Sequence, residues 1–202
     1  MTTATPVDDI TAVILAGGKA RRMDGVDKGL INLNGRALID YIISALRPQA
    51  GDILINANRN LQQYSRYGLP VVADMLGGYF GPLVGMATGM HTTDRPYIVT
   101  LPCDSPLIPD TLVETLYRSL DEQQADISVA HDGTRMQPVF ALLRCELLPD
   151  LLAYLDEGGR KIDTWYERQR LAIADFSDST DTFLNLNTPQ DKLALEGIID
   201  SR

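Results

Sequence analysis

Ile10-Thr11-Ala12-Val13-Ile14-Leu15-Ala16-Gly17-Gly18 decides the fold. The six residues from Ile10 to Leu15 are apolar or β-branched, show no helical spacing, and stop at a glycine pair. A run this short and this apolar reads as a strand buried on both faces. Such strands belong to sheets covered by helices on both sides, and those sheets hold their ligands at the carboxyl ends of the strands.

Working outward, the same pattern recurs. Polar loop residues follow the glycines to about Asn34. Ala37 to Leu46 has helical spacing and ends before Pro48, and Asp52 to Asn56 is a second strand. Leu61 to Tyr67 reads as a weak helix and Leu69 to Ala73 as a third strand ending at Asp74. Gly77 to Gly85 is rich in glycine, and Pro82 is placed to begin a helix that runs to about His91. Tyr97 to Leu101 is a fourth strand, followed at once by Pro102-Cys103-Asp104. Pro109 and Asp110 open a helix to about Leu120. Asp126 to Ala130 and Met136 to Leu143 read as strands, Cys145 to Leu155 and Arg160 to Glu167 as helices, Leu171 to Phe176 as a strand, and Pro189 to Ile198 as a closing helix. Strands alternating with helices give an α/β fold with a mainly parallel sheet. No repeat or linker divides it, so residues 10–198 read as one domain behind a short flexible N-terminus, residues 1–9.

Composition narrows the chemistry. Among 202 residues, 18 are Lys or Arg and 27 are Asp or Glu, a net charge of −9. Nucleic-acid binders take most of their affinity from basic residues on phosphates, so a nucleic-acid partner is not expected. The two cysteines, Cys103 and Cys145, can build neither a disulfide framework nor a four-thiolate zinc site, and the two histidines, His91 and His131, leave little for histidine-based catalysis. Carboxylates, Lys, Arg and backbone N–H groups remain, a set suited to phosphate chemistry with a divalent metal. No apolar run is long enough to span a membrane, and the first residues lack a secretory pattern, so a cytoplasmic location is the expectation.

The candidate site residues follow the strand ends. After Ile10–Leu15 comes Leu15-Ala16-Gly17-Gly18-Lys19-Ala20-Arg21-Arg22-Met23, with Lys28 soon after. Glycines let backbone N–H groups approach anionic oxygens, while Arg22 and Lys28 can neutralise a triphosphate. The spacing fits neither a P-loop nor a G-x-G-x-x-G turn. The glycine pair alone would read as an ordinary polar turn; the basic residues tip it toward phosphate binding. Asp104, just beyond the fourth strand, suits Mg²⁺, which takes one or two carboxylates plus substrate phosphates. It competes with a reading as a helix N-cap, for which it stands early. Asp74 with its glycine loop competes with a plain flexible connection. Asn56 has the amide to bond a base or ribose, and it is also ordinary turn chemistry. Asn185 and Asn187 are equally double-sided, with Asn187 or Thr188 a candidate cap for the last helix. Cys103 reads as a small buried residue, not a nucleophile, since an adjacent anion disfavours thiolate. Trp165 and Tyr166 read as packing residues.

Together these segments resemble the MobA-type molybdenum cofactor guanylyltransferases. The matching motifs are LAGGKARRM at 15–23, DKGL at 27–30, NAN at 56–58, Asp74 with GPLVGM at 81–86, PCDSPLIP at 102–109 and NLNTP at 185–189. Their order and spacing cover the chain from Ile10 to about Ile198. One position departs: Asp24 stands where the family usually carries glycine, and it puts a carboxylate in the phosphate loop.

The resemblance implies a single Rossmann-like domain that transfers GMP from GTP to the phosphate of molybdenum-loaded molybdopterin and releases pyrophosphate. It implies that Leu15, Ala16, Gly17, Gly18, Lys28, Asn56, Asp74 and Asp104 contact GTP, and that Asp104 holds Mg²⁺. It places Arg22 near the triphosphate, and Asn185 and Asn187 on the pterin side. Arg22, Lys28 and Asp104 are the residues expected to act in the reaction. Molybdoenzymes and cofactor-delivery proteins are the implied macromolecular partners. The nearest alternatives are a cytidylyltransferase for the same cofactor or a sugar-phosphate nucleotidyltransferase. A non-catalytic carrier is the alternative of another class, and it is disfavoured because both Lys28 and Asp104 are present.

Overall fold

The strand Ile10–Leu15 lies inside the parallel half of the sheet, paired on both sides. The computed structural model describes residues 7–17, 27–77 and 81–201. In chain order the elements are β1 (Ile10–Leu15), β2 (Asn32–Leu33), β3 (Arg36–Ala37), α1 (Leu38–Leu46), β4 (Asp52–Asn56), α2 (Leu61–Tyr64), β5 (Val71–Val72), α3 (Pro82–Thr92) and β6 (Tyr97–Pro102). They continue with α4 (Leu112–Glu122), β7 (Ile127–His131), β8 (Met136–Arg144), α5 (Leu148–Asp156), α6 (Ile162–Tyr166), β9 (Leu171–Asp175) and α7 (Pro189–Asp200).

Seven strands form one sheet in the order β5-β4-β1-β6-β8-β7-β9. The β5–β4, β4–β1, β1–β6 and β7–β9 pairs are parallel, and β8 alone runs against its neighbours. The sheet is mixed but mainly parallel, in a single α/β domain.

Side chains that alternate along β1 feed two cores. Ile10, Ala12 and Ile14 pack with Ile39, Ile42 and Leu46 of α1 and with Leu112 and Leu116 of α4. Val13 points the other way, into Leu83, Met86 and Ala87 of α3, in a core that also holds Trp165 and Tyr166. Gly89 makes this second contact close: a Cβ there would lie 2.7 Å from Val13 Cγ2. Burying each such Leu or Ile stabilises the fold by about 1.5–3 kcal/mol. A third, smaller cluster joins Leu33, Leu38, Leu107, Leu186 and Leu195, and so docks α7 over the β2–β3 hairpin. Among the described residues no helix is long and apolar enough to cross a membrane.

The structure corrects several boundaries. The loop expected to run to Asn34 contains a 3-10 turn at Lys28–Leu30 and enters the β2–β3 hairpin. Asn34 and Gly35 both take positive φ (48° and 83°), the backbone of a tight hairpin turn that an Asn-Gly pair supplies. The third strand shrinks to Val71–Val72, because it is an edge strand and Pro70 has no N–H to donate. The helix expected from Pro109 begins at Leu112, with Thr111 as its N-cap residue. The helix expected from Cys145 opens with a 3-10 turn, Cys145–Leu147, before α5.

Candidate active site

The carboxyl ends of β1, β4 and β6 converge by backbone hydrogen bonds. Ala16 N donates to Asn56 O at 2.8 Å, and Cys103 N donates to Leu15 O at 3.2 Å. These bonds place three strand-end motifs side by side, at the edge where open α/β sheets take their ligands. A cavity of about 360 Å³ opens there. Leu15, Ala16, Gly17, Lys28, Asn56, Asp74 and Asp104, all anticipated from sequence, line it. Gly18 and Arg22, with Asp24, lie outside the described residues.

At one end of the cavity Asp74 is held between two asparagines. Asn56 Nδ2 donates to Asp74 Oδ1 at 3.0 Å, and Asn58 Nδ2 donates to Oδ2 at 2.7 Å. Asp74 N returns a bond to Asn58 Oδ1 at 2.9 Å. Asn56 is buried, so its amide is fixed by the sheet beneath it. Glycines make the room: a Cβ at Gly17 would come within 2.9 Å of Asn58 Nδ2, and one at Gly85 within 2.6 Å of Asn56 Oδ1. Gly81 has φ +71°, a left-handed conformation that lets the chain turn into Pro82 and start α3.

At the other end the Lys28 ammonium donates to Asp104 Oδ2 at 2.8 Å and to Asn187 Oδ1 at 2.6 Å. The Lys28 and Asp104 side chains are 25% and 15% exposed, so this pair faces the cavity and adds little to stability. Asp104 is not a helix cap, because α4 starts eight residues on. A single carboxylate at a strand end suits Mg²⁺ completed by substrate phosphates. Among the described residues no three His, Cys, Asp or Glu side chains gather into a metal cage.

Asn185 and Asn187 sit beside the cavity, not in its wall. Ser105 Oγ is hydrogen-bonded to Asn185 Oδ1, and Leu186 N donates to Asp104 O at 2.9 Å, so this segment is fastened along the Asp104 motif. The cap of α7 is Thr188.

Three residues of the site, Asp27, Asn58 and Tyr64, are given no role by sequence alone, although Asp27 and Asn58 stand inside the DKGL and NAN motifs. Asp27, buried and lining the cavity, accepts from Tyr64 Oη at 2.8 Å and from Asn60 Nδ2 at 3.4 Å. Its partner Tyr64 stands on a four-residue helix, with nothing local to mark it. Asn58 is marked by period two from Asn56, and Gly85, the last glycine of the loop that follows Asp74 in sequence, lies one turn into α3. Burial is the main force that raises the Tyr64 hydroxyl well above its ordinary range, with the Cys103 and Asp27 charges adding to it, so it stays protonated as a donor. Burial, and then the Asp104 carboxylate, push the Cys103 thiol up as well; it packs, and it is no nucleophile.

Residues 12–171 match the family model of the MobA-like NTP transferase domain. The chain is 49% identical over 190 residues to the molybdenum cofactor guanylyltransferase of Shewanella sediminis, covering 94% of this chain and 97% of that one. It is 48% identical to the protein of the same name from Shewanella frigidimarina, covering 92% and 95%. Among solved structures, the molybdopterin-guanine dinucleotide biosynthesis protein A of Archaeoglobus fulgidus superposes with a TM-score of 0.80 at 22% identity, over 95% of this chain and all of that one. The 2-C-methyl-D-erythritol 4-phosphate cytidylyltransferase of Thermus thermophilus superposes with a TM-score of 0.69 at 14% identity, over 93% and 98%. At these identities the two structures speak to the fold alone.

Proposed function

This chain belongs to the MobA-like NTP transferase family, and we propose that it transfers GMP from GTP to the phosphate of molybdenum-loaded molybdopterin, releasing pyrophosphate. One observation supports this most: Lys28 and Asp104 stand at one end of the strand-edge cavity and Asn56 and Asp74 at the other, in a chain that matches guanylyltransferases along nearly its whole length.

The division of labour follows the chemistry of each end. Asn56 and Asp74, locked by Asn58, present fixed amide and carboxylate atoms to a nucleobase or ribose. Lys28, with the backbone at Gly17, meets the phosphates as a point charge and N–H donors. From the sequence, Gly18 and Arg22 are assigned to the same phosphates. Asp104 would hold Mg²⁺, which supplies charge neutralisation on the phosphate oxygens when bound. Asn185 and Asn187, beside Asp104, face the acceptor side. Two free thiols suit a reducing, cytoplasmic setting.

In the reaction an oxygen of the acceptor phosphate attacks the α-phosphorus of GTP. The bond from that phosphorus to the bridging oxygen breaks, and its electron pair leaves with pyrophosphate. The attacking oxygen is already anionic, so no general base is needed, consistent with a site built without histidine. Lys28 works by position and charge, stabilising the negative charge that builds on the departing pyrophosphate.

Pyrophosphate release with GTP, CTP, ATP and UTP, each with Mg²⁺ and loaded molybdopterin, tests the proposal. Release with GTP alone is expected. Release with CTP would move the protein to the cytidylyl branch, and release with none from folded protein would favour a carrier.

A further inference from the structure

Helix α7 begins with a capping box that does more than cap. Thr188 Oγ1 accepts from Asp191 N at 3.2 Å, and Asp191 Oδ2 accepts from Thr188 N at 2.8 Å. Those two bonds complete a box. The same Asp191 oxygen takes a second bond, from Asn187 N at 3.0 Å. That bond fixes the backbone of a residue outside the helix, and the Asn187 side chain then accepts from the Lys28 ammonium at 2.6 Å. The ammonium passes the connection on to Asp104. A second link closes the ring, since Leu186 N donates to Asp104 O and the Leu186 side chain is wholly buried against α7. The backbone N–H of Asn187 is the leading cause that holds the Asp191 carboxyl below its ordinary range, and the Lys28 charge contributes to it.

Lys28 needs such a mount. Its ammonium ends a flexible four-carbon stem, and a cation that meets phosphates is more effective when its position is set before the ligand arrives. The 3-10 turn that carries Lys28 is only three residues long and has no side-chain cap.

We propose that Asp191 is a positioning residue for Lys28. By fixing the backbone at Asn187, it holds the asparagine oxygen that sets the ammonium beside Asp104. The end of the chain thereby tunes nucleotide binding at the first strand-edge loop, without touching the nucleotide. The inference rests on the reading of Lys28 as a phosphate-binding residue.

The test compares Asp191→Ala, Thr188→Ala, Lys28→Ala and the Asp191→Ala/Lys28→Ala double variant of the full chain, by melting temperature, by GTP dissociation constant from equilibrium dialysis with Mg²⁺, and by kcat and KM. Thr188→Ala removes the other half of the same box and leaves the Asn187 bond. It is expected to lower the melting temperature about as much as Asp191→Ala while keeping the GTP dissociation constant within about twofold. Asp191→Ala is expected to weaken GTP binding about fivefold to tenfold, and the double variant to bind as Lys28→Ala does, since the two act through one group. Equal GTP affinity in Asp191→Ala and Thr188→Ala would overturn the proposal. So would a double variant weaker than Lys28→Ala by the full Asp191→Ala factor. If Lys28→Ala itself bound GTP normally, the reading of the lysine would fail and take the proposal with it; a weakened Lys28→Ala beside an unaffected Asp191→Ala would sink the proposal alone.

Discussion

Gly85 lies against the amide of Asn56 so closely that a methyl group on it would sit 2.6 Å from Asn56 Oδ1. Leu15 Cδ2, at 2.7 Å, blocks the other escape. A glycine inside a helix costs about 1 kcal/mol relative to alanine, so its presence in α3 is informative. Gly85→Ala is expected to push Asn56 off Asp74 and weaken GTP binding about tenfold or more, for the loss of a buried, charge-assisted hydrogen bond. Gly197→Ala is the control: it lies in α7 with open space around it and is expected to gain up to about 1 kcal/mol. Calorimetric titration with GTP and denaturant unfolding separate the two effects. Unchanged GTP affinity in Gly85→Ala would mean that Asn56 is not part of the nucleotide site.

Asp104→Ala separates the chemistry from the fold. The carboxylate is partly exposed and its pair with Lys28 faces the cavity, so its loss is expected to cost no more than about 1 kcal/mol of stability. Turnover is expected to fall by about a hundredfold or more, the scale of losing one preorganised electrostatic partner of the reacting phosphate. Retained Mn²⁺ binding in the presence of GTP, with near-normal turnover, would remove Asp104 from the metal site.

How much of this was legible depended on whether the signal was local. β1, β4 and β6 were read because buried parallel strands are short apolar runs, and their ends named Gly17, Asn56 and Asp104 together. The edge strand β5 is shorter than its sequence suggests, because its apolar pattern extends past the two residues that pair. The β2–β3 hairpin has too short a pattern to show in sequence although Asn34-Gly35 marks its turn, since each strand has only two residues. Asp27 stands in the DKGL motif, but nothing in the sequence pairs it with Tyr64: the bond between them spans 37 positions and exists only once α2 is folded against the Lys28 loop. The link from Asp191 to Asn187 was hidden inside what reads as an ordinary helix cap.

Tyrosines and thiols taken out of water give the fold an alkaline limit. Tyr64, Tyr166, Cys103 and Cys145 are all raised by burial, Cys145 up to about 12, and Tyr67 and Tyr117 are raised by the same cause. Their charged forms are disfavoured in the folded state, so the stability they carry is complete below the unfolded values and lost as pH rises through them. Unfolding free energy is expected to be flat between about pH 7 and about pH 8.5 and then to fall, with a slope that steepens to several protons above about pH 10. Tyr64→Phe is expected to reduce that slope by one proton and to cost about 1–2 kcal/mol at neutral pH, because Asp27 loses its close donor. Urea unfolding across pH 7–11 reads both, and the buried Cys103 thiol is expected to resist a thiol reagent at pH 8 until urea unfolds the chain. A slope unchanged by Tyr64→Phe would mean that the phenol is not held neutral by the fold.

Ser128 offers the opposite test, a residue whose removal should help. It is fully buried in β7, opposite Leu142 and Ala172 in the neighbouring strands, and its hydroxyl is a buried side-chain atom without a hydrogen-bond partner among the described residues. Ile127 and Val129 point to the α3 side of the sheet, so Ser128 faces the core under α4, among Ala130, Leu142 and Ala172. An unsatisfied buried hydroxyl costs about 1–3 kcal/mol of desolvation, whereas the contacts of one oxygen atom are worth only a few tenths. The first effect is larger, so Ser128→Ala is expected to stabilise the fold by about 1 kcal/mol. The change lies away from the strand edge that holds Lys28 and Asp104, so turnover should stay within about twofold of the parent. Urea unfolding of the two proteins measures the difference. A loss of more than about 1 kcal/mol would show that the hydroxyl has an acceptor in solution, a bound water or the backbone of the Val129–Ala130 bulge beside it.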